Sequence, residues 1–199
     1  MNPILVLFAH PAFQRSRVNR RLVAAVQGLD GVTFHDLYEA YPDFHIDVRR
    51  EQALLDAHQI IVFQHPFFWY STPAILKEWQ DLVLEHGWAY GHDGTALKGK
   101  QLLSVITAGG SESAYRQEGT NRCTVPDLLR PIERTAALCG MSYLPPFVVY
   151  GTHDMLEGAI STHAADYRSV LTALRDNRLD LARIPRHTRL NANLSHIIT

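Results

Sequence analysis

The sequence has few cysteines and almost no net charge, and each of these features excludes a class of protein. Its two cysteines, Cys123 and Cys139, are too few for a disulfide scaffold, and their spacing matches no zinc or redox motif. This usage suggests a reducing compartment. The 19 basic and 20 acidic side chains leave a formal net charge of −1, which disfavours nucleic acid and anionic lipid as partners.

The sequence also lacks a long apolar run. The N-terminal run from Ile4 to Ala9 is too short for a membrane span or a signal-peptide core, and no basic segment precedes it. We therefore expect a cytoplasmic protein, which would lie at the inner face of the cell membrane only through a protein partner. With 46% hydrophobic residues in 199 positions, the chain can close the core of one domain.

Apolar runs alternate with segments of helical period, a pattern typical of a parallel sheet covered by helices on both faces. Five strands are predicted, at 4–9, 32–35, 59–64, 101–107 and 143–150. Helices are predicted at about 17–27, after Asp47, after Pro73, over 123–139 and at about 156–174. This count predicts an α/β, flavodoxin-like, doubly wound five-stranded parallel sheet with helices on both faces. We expect the flavodoxin-like domain to span residues 1–175 and residues 176–199 to form a loosely held tail, because no period persists there.

The candidate site lies in the loops after strands one, three and four, because such sheets bind ligands outside the carboxyl ends of their strands. The first loop delivers Ser16 to the start of a helix. There the free backbone N–H groups, the Ser16 hydroxyl and the Arg17 guanidinium can converge on a phosphate. The alternative is that Ser16 only caps the helix.

The other two loops offer aromatic rings and glycines. Four consecutive aromatic residues, at 67–70, can hold a planar heterocycle, or they can form a hydrophobic bridge between strand and helix. Gly109 and Gly110 permit a close approach of backbone to a ligand, and they also fit an ordinary turn. The meeting of three such loops at one edge of the sheet favours a ligand site.

Three other motifs do not support a site of their own. Residues 94–100 follow most of the P-loop pattern, but Gln101 replaces its Ser or Thr and a strand follows where a helix is needed. No carboxylate or cysteine cluster joins His86 and His92, so no metal is predicted. His10 offers a general base for an acyl hydrolase, but no nucleophile with an orienting acid can be assigned.

Six strings of residues carry a resemblance to a known family. They are Ala9-His10-Pro11 with Ser16 and Asn19, Tyr41-Pro42-Asp43-Phe44 with Ile46-Asp47, Gln64-His65-Pro66 through Trp69-Tyr70-Ser71, Lys77-Glu78-Trp79, His86-Gly87-Trp88-Ala89-Tyr90-Gly91, and Thr107 to Tyr115. With these strings the chain resembles the NAD(P)H:quinone oxidoreductases, and more closely their bacterial branch of ancillary flavoproteins of glutathione-gated potassium efflux, KefF and KefG. The resemblance covers roughly positions 4–175.

The resemblance implies a homodimeric, flavin-dependent NAD(P)H dehydrogenase (quinone) that transfers hydride by a ping-pong mechanism. FMN is favoured over FAD because so short a chain shows no obvious adenosine pocket. The implied cofactor-binding residues are His10, Ser16, Arg17, Val18 and Asn19 on the phosphate side, Pro66, Phe67, Phe68 and Trp69 along the isoalloxazine, and Thr107, Ala108, Gly109 and Gly110 at its polar edge. Tyr115, with Trp69, would be catalytic, the tyrosine by steadying charge on the reduced ring.

The resemblance also places Trp88 and Tyr90 in the partner subunit's site. Independently, these two aromatics lie in a glycine-bounded string with no helical or strand period to bury them, which favours a homodimer. Two residues depart from the family pattern. Asn121 stands where these reductases place an active-site histidine, and Ala108 replaces a threonine.

Two further functions stay open at this point. The efflux branch is itself divided: Gly109-Gly110 and the aromatic string resemble its flavin-competent member, while 127–131 resembles the other. A non-catalytic regulatory subunit of the efflux system is therefore one alternative, and an acyl hydrolase using His10 is the second. By the resemblance, a reductase as well as a regulatory subunit would dock on the cytoplasmic domain of a potassium efflux antiporter and favour its open state. The candidate docking surfaces are the Tyr41–Ile46 turn and the Arg-rich tail, and the alternative for each is a solvated loop.

Overall fold

Strands and helices alternate along the computed structural model, which describes residues 1–183 and 189–199. The strands are β1 Ile4–Phe8, β2 Val32–Asp36, β3 Ile60–Pro66, β4 Gln101–Thr107, β5 Ser142–Tyr143 and β6 Phe147–Val149. The α-helices are α1 Arg17–Val26, α2 Leu37–Ala40, α3 Val48–Ala57, α4 Ala74–Val83, α5 Val125–Leu128, α6 Arg130–Leu138, α7 Glu157–Arg175 and α8 Leu194–Ile197. No helix within these residues has both the length and the apolar character needed to span a bilayer.

All strands pair in parallel, in the order β2-β1-β3-β4-β5, and β6 also pairs with β4. This is the flavodoxin-like order, so the predicted α/β fold is confirmed. The predicted fifth strand is divided into β5 and β6. Pro145 and Pro146 lie between them, and proline has no N–H to give to a sheet ladder.

The sheet is buried on both faces. Alternate strand residues such as Ile4 and Val6 pack with α1 and α7, while Leu5 and Leu7 pack with α3, α4 and α6. The helix predicted over 123–139 is two helices, α5 and α6. Thr124 and Asp127 form a capping box that starts α5, and Pro131 in the first turn of α6 lacks the N–H that a continuous helix would use.

The described residues after Asp176 pack on the domain. The side chains of Leu190 and Ile197 are buried in the core on the α1 and α7 face. Leu179 and Ile198 form an antiparallel bridge. These contacts contradict the expectation of a loosely held tail, because an apolar residue can be buried without any period in the sequence. The domain boundary at residue 175 stays a prediction.

Candidate functional site

A cleft of about 430 Å³ opens at the carboxyl edge of β1, β3 and β4. β1 and β3 are neighbours, and this is the switch point in strand order where such sheets bind ligands. Ten of the predicted site residues line the cleft: His10, Ser16, Arg17, Val18, Asn19, Pro66, Phe67, Phe68, Thr107 and Gly109. Ala12, Arg15, Thr152 and His153 line it as well and were not predicted.

The start of α1 forms one end of the cleft. Ser16 caps this helix, since its Oγ accepts the Asn19 N–H at 3.2 Å. The Asn19 Nδ2 donates both to Ser16 Oγ, at 3.1 Å, and to Thr107 Oγ1 at the end of β4, at 2.9 Å. Asn19 is buried, and its Oδ1 has no hydrogen-bond partner among the described residues. Ser16 is thus both a cap and a wall of the cleft.

Two arginines border this end and differ in their partners. The Arg17 guanidinium donates to Glu157 Oε1 at 2.7 Å and to the Met155 carbonyl at 3.1 Å. It is therefore held toward the start of α7, yet it lines the cleft together with Ser16, and its convergence with Ser16 on a phosphate stays a prediction. Arg15 forms no ion pair with any described residue and leaves a cation for the cleft.

His10 lies almost fully buried at the floor of the cleft. Its Nδ1 accepts the Ala12 N–H at 3.1 Å, which places the imidazole proton on Nε2. Burial lowers the pKa of His10 against a smaller backbone contribution that raises it, so the ring is neutral at pH 7. No carboxylate of the described chain pairs with it, which weakens the hydrolase alternative.

The aromatic string does not form one continuous platform. Phe67 is buried and Phe68 is half-exposed, and both line the cleft. Trp69 and Tyr70 have φ values of 49° and 63°, and the Ser71 N–H donates to the Phe68 carbonyl at 3.0 Å. This is a tight turn of the I′ kind, which turns Trp69 outward so that 93% of its surface is exposed. Trp69 therefore lies outside the cleft that it was predicted to line.

The glycine loop is joined to the loop after β6. Ala108 is fully buried and donates to the Val149 carbonyl at 2.8 Å, and Gly110 lies beside the cleft and accepts the Gly151 N–H at 2.9 Å. A Cβ on Gly109 would come within 2.3 Å of His153 Nε2. Gly109 therefore lets His153 reach the cleft. Applying the carboxyl-edge rule to the fifth strand would have found Thr152 and His153.

The sequence profile of the family described as flavodoxin-like fold matches residues 2–171. The chain belongs to this family. It is also 51% identical, over 170 residues, to the glutathione-regulated potassium-efflux system ancillary protein KefG of Pectobacterium atrosepticum, covering 85% of this chain and 93% of that one. The resemblance stated from the sequence motifs is thereby confirmed.

Two solved structures share the fold at substantial identity. A general stress protein 14 from Treponema denticola, in complex with FMN, is 40% identical with a TM-score of 0.82 and covers 86% of this chain and 98% of its own. An NADPH-quinone reductase from P. pentosaceus is 32% identical with a TM-score of 0.78, covering 85% and 97%. The structural neighbours of this flavodoxin-like protein thus include an FMN complex and a quinone reductase.

Tyr115, Asn121, Trp88 and Tyr90 were predicted as site residues but do not line the cleft. Tyr115 is almost buried, with its ring centre 6.3 Å from that of Phe67 and 5.7 Å from that of Tyr150. Burial, with smaller effects of the Tyr70 hydroxyl and the Cys123 thiol, raises the pKa of Tyr115, so its hydroxyl stays protonated at neutral pH. The Asn121 side chain accepts the Tyr70 hydroxyl at 3.1 Å.

Trp88 and Tyr90 are partly buried against the core on the α3 and α4 face. The Tyr90 ring also packs edge-on against His86, at 5.4 Å between ring centres. The sequence argument that these two aromatics cannot be buried within their own chain is therefore only partly correct. In the described part of the chain, no group of three His, Cys, Asp or Glu side chains is placed to hold a metal ion.

The residues present fit a flavin mononucleotide. Its phosphate requires donors, and the capped start of α1 with the unpaired Arg15 offers them. Its ring requires an apolar wall with a few fixed polar groups, which Pro66, Phe67 and Phe68 supply together with Thr107 on the neighbouring strand. The unpartnered Asn19 Oδ1 is a further polar atom at the cleft that needs a hydrogen-bond donor.

Proposed function

We propose that this protein is a flavin-dependent NAD(P)H:quinone oxidoreductase that holds FMN in the cleft. The observation that carries the proposal is the Ser16–Asn19–Thr107 hydrogen-bond network, which ties the capped start of α1 to the end of β4 at the strand switch point. The FMN complex and the NADPH-quinone reductase among the structural neighbours support it.

The side chains and backbone groups of the cleft bind the cofactor and orient it. Bound FMN supplies hydride transfer between a nicotinamide and a quinone. Ser16 and the first N–H groups of α1 hold the phosphate, and Pro66 to Phe68 flank the ring. Thr107 and the backbone at Gly109 hold the polar edge of the ring. Tyr115, protonated because burial raises its pKa, keeps its hydroxyl available as a hydrogen-bond donor.

The limited volume of the cleft, about 430 Å³, favours ping-pong turnover. Once the cofactor fills part of this volume, the nicotinamide and the quinone can occupy the remaining face only in turn. The same limited volume favours FMN over FAD. We expect parallel lines in double-reciprocal plots of NAD(P)H oxidation with a quinone.

The proposal is tested by denaturing the purified protein, identifying the released chromophore and measuring NAD(P)H oxidation with and without a quinone. FMN in about one-to-one ratio and quinone-dependent oxidation are expected. A colourless protein that takes up neither FMN nor FAD on reconstitution would exclude the flavin site.

A non-catalytic regulatory subunit of an efflux system is the second candidate. The 51% identity to a protein named as an ancillary KefG favours it. Asn121, bonded to Tyr70 and standing where related reductases place a histidine, is a further reason to test it. A protein that binds FMN but oxidises NAD(P)H no faster than free FMN would fit this candidate and contradict the reductase.

We further propose that the protein acts as a homodimer that docks on a potassium efflux antiporter. Phe44, exposed at the tip of the Tyr41–Ile46 turn, offers an apolar contact, while Tyr41 itself is buried. A dimeric protein would suit a symmetric transporter. Sedimentation tests the dimer, and potassium efflux measured with and without this chain tests the partner. A fully active monomer and unchanged efflux would contradict the two parts separately.

A further inference from the structure

Residues 189–192 lie along the outer edge of β6. In the described chain β6 pairs only with β4, so its other edge would present unpaired backbone groups. Asn191 covers this edge with its side chain, since its Nδ2 donates to the Val148 carbonyl at 2.9 Å and its Oδ1 accepts the Val148 N–H at 3.0 Å. The Leu190 N–H donates to the Pro146 carbonyl at 2.8 Å, and the Leu190 side chain is buried. The segment is therefore anchored as an added strand would be.

The anchored segment presents Arg189 to two loops of the candidate site. The Arg189 guanidinium carbon lies 5.5 Å from the centre of the Tyr150 ring, just after β6. Its Nη1 lies 3.0 Å from Glu112 Oε2, in the loop after β4. An exposed ion pair alone contributes little to stability. Here the backbone of Arg189 is already fixed by the bonds of Leu190 and Asn191, and its guanidinium stacks on Tyr150, so forming the ion pair costs less conformational entropy.

These contacts lead from Arg189 to the wall of the cleft. Glu112 begins the short turn that ends at Tyr115, whose N–H donates to the Glu112 carbonyl at 3.2 Å. The Tyr115 ring packs between Tyr150 and Phe67, and Phe67 lines the cleft. The backbone bonds between the two loops end at Gly110, so the ion pair to Glu112 holds the part of the loop that they do not reach.

The family to which the chain belongs does not account for this residue. The flavodoxin-like profile matches residues 2–171, and Arg189 lies beyond that range. We propose that Arg189 is a positioning residue, which holds the turn from Glu112 to Tyr115 against the cleft and so sets the orientation of Tyr115. The effect on turnover rests on the proposed function, whereas the effect on the turn does not.

The turn itself is tested by hydrogen exchange in the purified full-length protein. The amides of Ala114 and Tyr115 both donate within the turn. In Arg189→Gln we expect them to exchange about fivefold faster than in the wild type, as loss of one ion pair and one cation–π contact implies. Glu112→Gln loses the ion pair but keeps the cation–π contact, so the expected increase there is smaller, about twofold. The matched control is Arg183→Gln, which removes an ion pair to Asp180 of 2.9 Å in the same C-terminal region. Exchange in Arg189→Gln that equals the wild type would overturn the proposal.

Turnover is the second readout. Arg189→Gln is expected to lower kcat with quinone about threefold or more, with flavin content and melting temperature equal to those of Arg183→Gln. Arg189→Lys should recover part of the loss, because it restores the charge but not the planar stack. If the wild type shows no turnover but the amides of Arg189→Gln exchange faster, Arg189 still positions the turn and the proposed reductase function is wrong. If the wild type is active and Arg189→Gln has the same kcat, Arg189 does not set the orientation of Tyr115.

Discussion

Glu51 is a carboxylate buried in the core. It accepts hydrogen bonds from His35 Nε2 at 2.8 Å, from the Tyr41 hydroxyl, and from Trp79 Nε1 at 2.8 Å. Burial alone would raise the pKa of Glu51, but the three hydrogen bonds and the His35 charge together hold it below its ordinary value of 4.5. Glu51 thereby joins β2, α3 and α4 through one side chain.

The variant Glu51→Gln is expected to lose about 1–3 kcal/mol of unfolding free energy at neutral pH, because the amide turns an N–H toward one of the three donors. A carboxyl whose pKa is lowered by folding stabilises the protein above its ordinary pKa and loses this contribution as pH falls through the folded-state value. The difference in unfolding free energy between wild type and variant should therefore become smaller below about pH 4.5. Urea unfolding at several pH values measures this difference.

The exposed Glu78, on the same helix as Trp79, gives the control. Glu78→Gln should change stability by less than about 0.5 kcal/mol. A loss in Glu51→Gln that is no larger than this, or that grows on acidification, would show that the three hydrogen bonds are not what stabilises the carboxylate.

A second single residue, Thr107, tests the candidate site itself. The variant Thr107→Val keeps the side-chain shape and removes the hydroxyl, which accepts from Asn19 Nδ2 and which we propose holds the polar edge of the ring. One hydrogen bond of about 1 kcal/mol corresponds to about fivefold weaker FMN binding, which fluorescence titration would detect. Thr162 is exposed on α7 and is not among the residues that line the cleft, so Thr162→Val should bind FMN as the wild type does. Equal affinity in both variants would remove Asn19 and Thr107 from the cofactor site.

At the scale of elements, the long periodic segments could be predicted from the sequence. β4 has the predicted bounds, and β1 ends one residue early, at Phe8. These runs are apolar on both faces, so tertiary contacts and local pattern favour the same structure. The fifth strand could not be predicted as a whole because two prolines interrupt it.

The site could be predicted where it depends on strand ends, and less well where it depends on loop geometry. The carboxyl-edge rule found Ser16 and Gly109, and the family resemblance added Asn19 and Thr107. The rule could not show that positive φ values turn Trp69 away from the cleft, since four aromatic letters do not specify a turn type. Arg189 could not be found at all, because its pairing with Glu112 joins segments far apart in the chain.

The turn at Trp69 and Tyr70 leads to a prediction of its own. A left-handed conformation costs a non-glycine residue roughly 1–2 kcal/mol, and asparagine tolerates it best. Because Trp69 is 93% exposed and has little packing to lose, Trp69→Asn should raise unfolding free energy by about 0.5–1 kcal/mol. Quinone turnover or dimerisation should weaken if Trp69 meets a substrate or a second subunit. The control Trp69→Phe keeps an aromatic ring and the left-handed backbone, so neither the unfolding free energy nor the turnover and dimerisation should change.

At the scale of the whole molecule, a ligand that binds only the folded state stabilises all of it. Free FMN at about 100 times its Kd adds about 2.7 kcal/mol, which for a chain of this length raises the melting temperature by about 5–10 °C. Riboflavin, which lacks the phosphate, should raise it much less, because the capped start of α1 and Arg15 then have no anion to hold. The experiment is a thermal melt of protein stripped of flavin, with each compound at the same concentration.

Thr107→Val should show a smaller FMN-induced rise in melting temperature than Thr162→Val. Equal shifts with riboflavin and FMN would mean that the phosphate does not occupy the start of α1, and no shift with either would mean that the cleft at the strand switch point is not a flavin site.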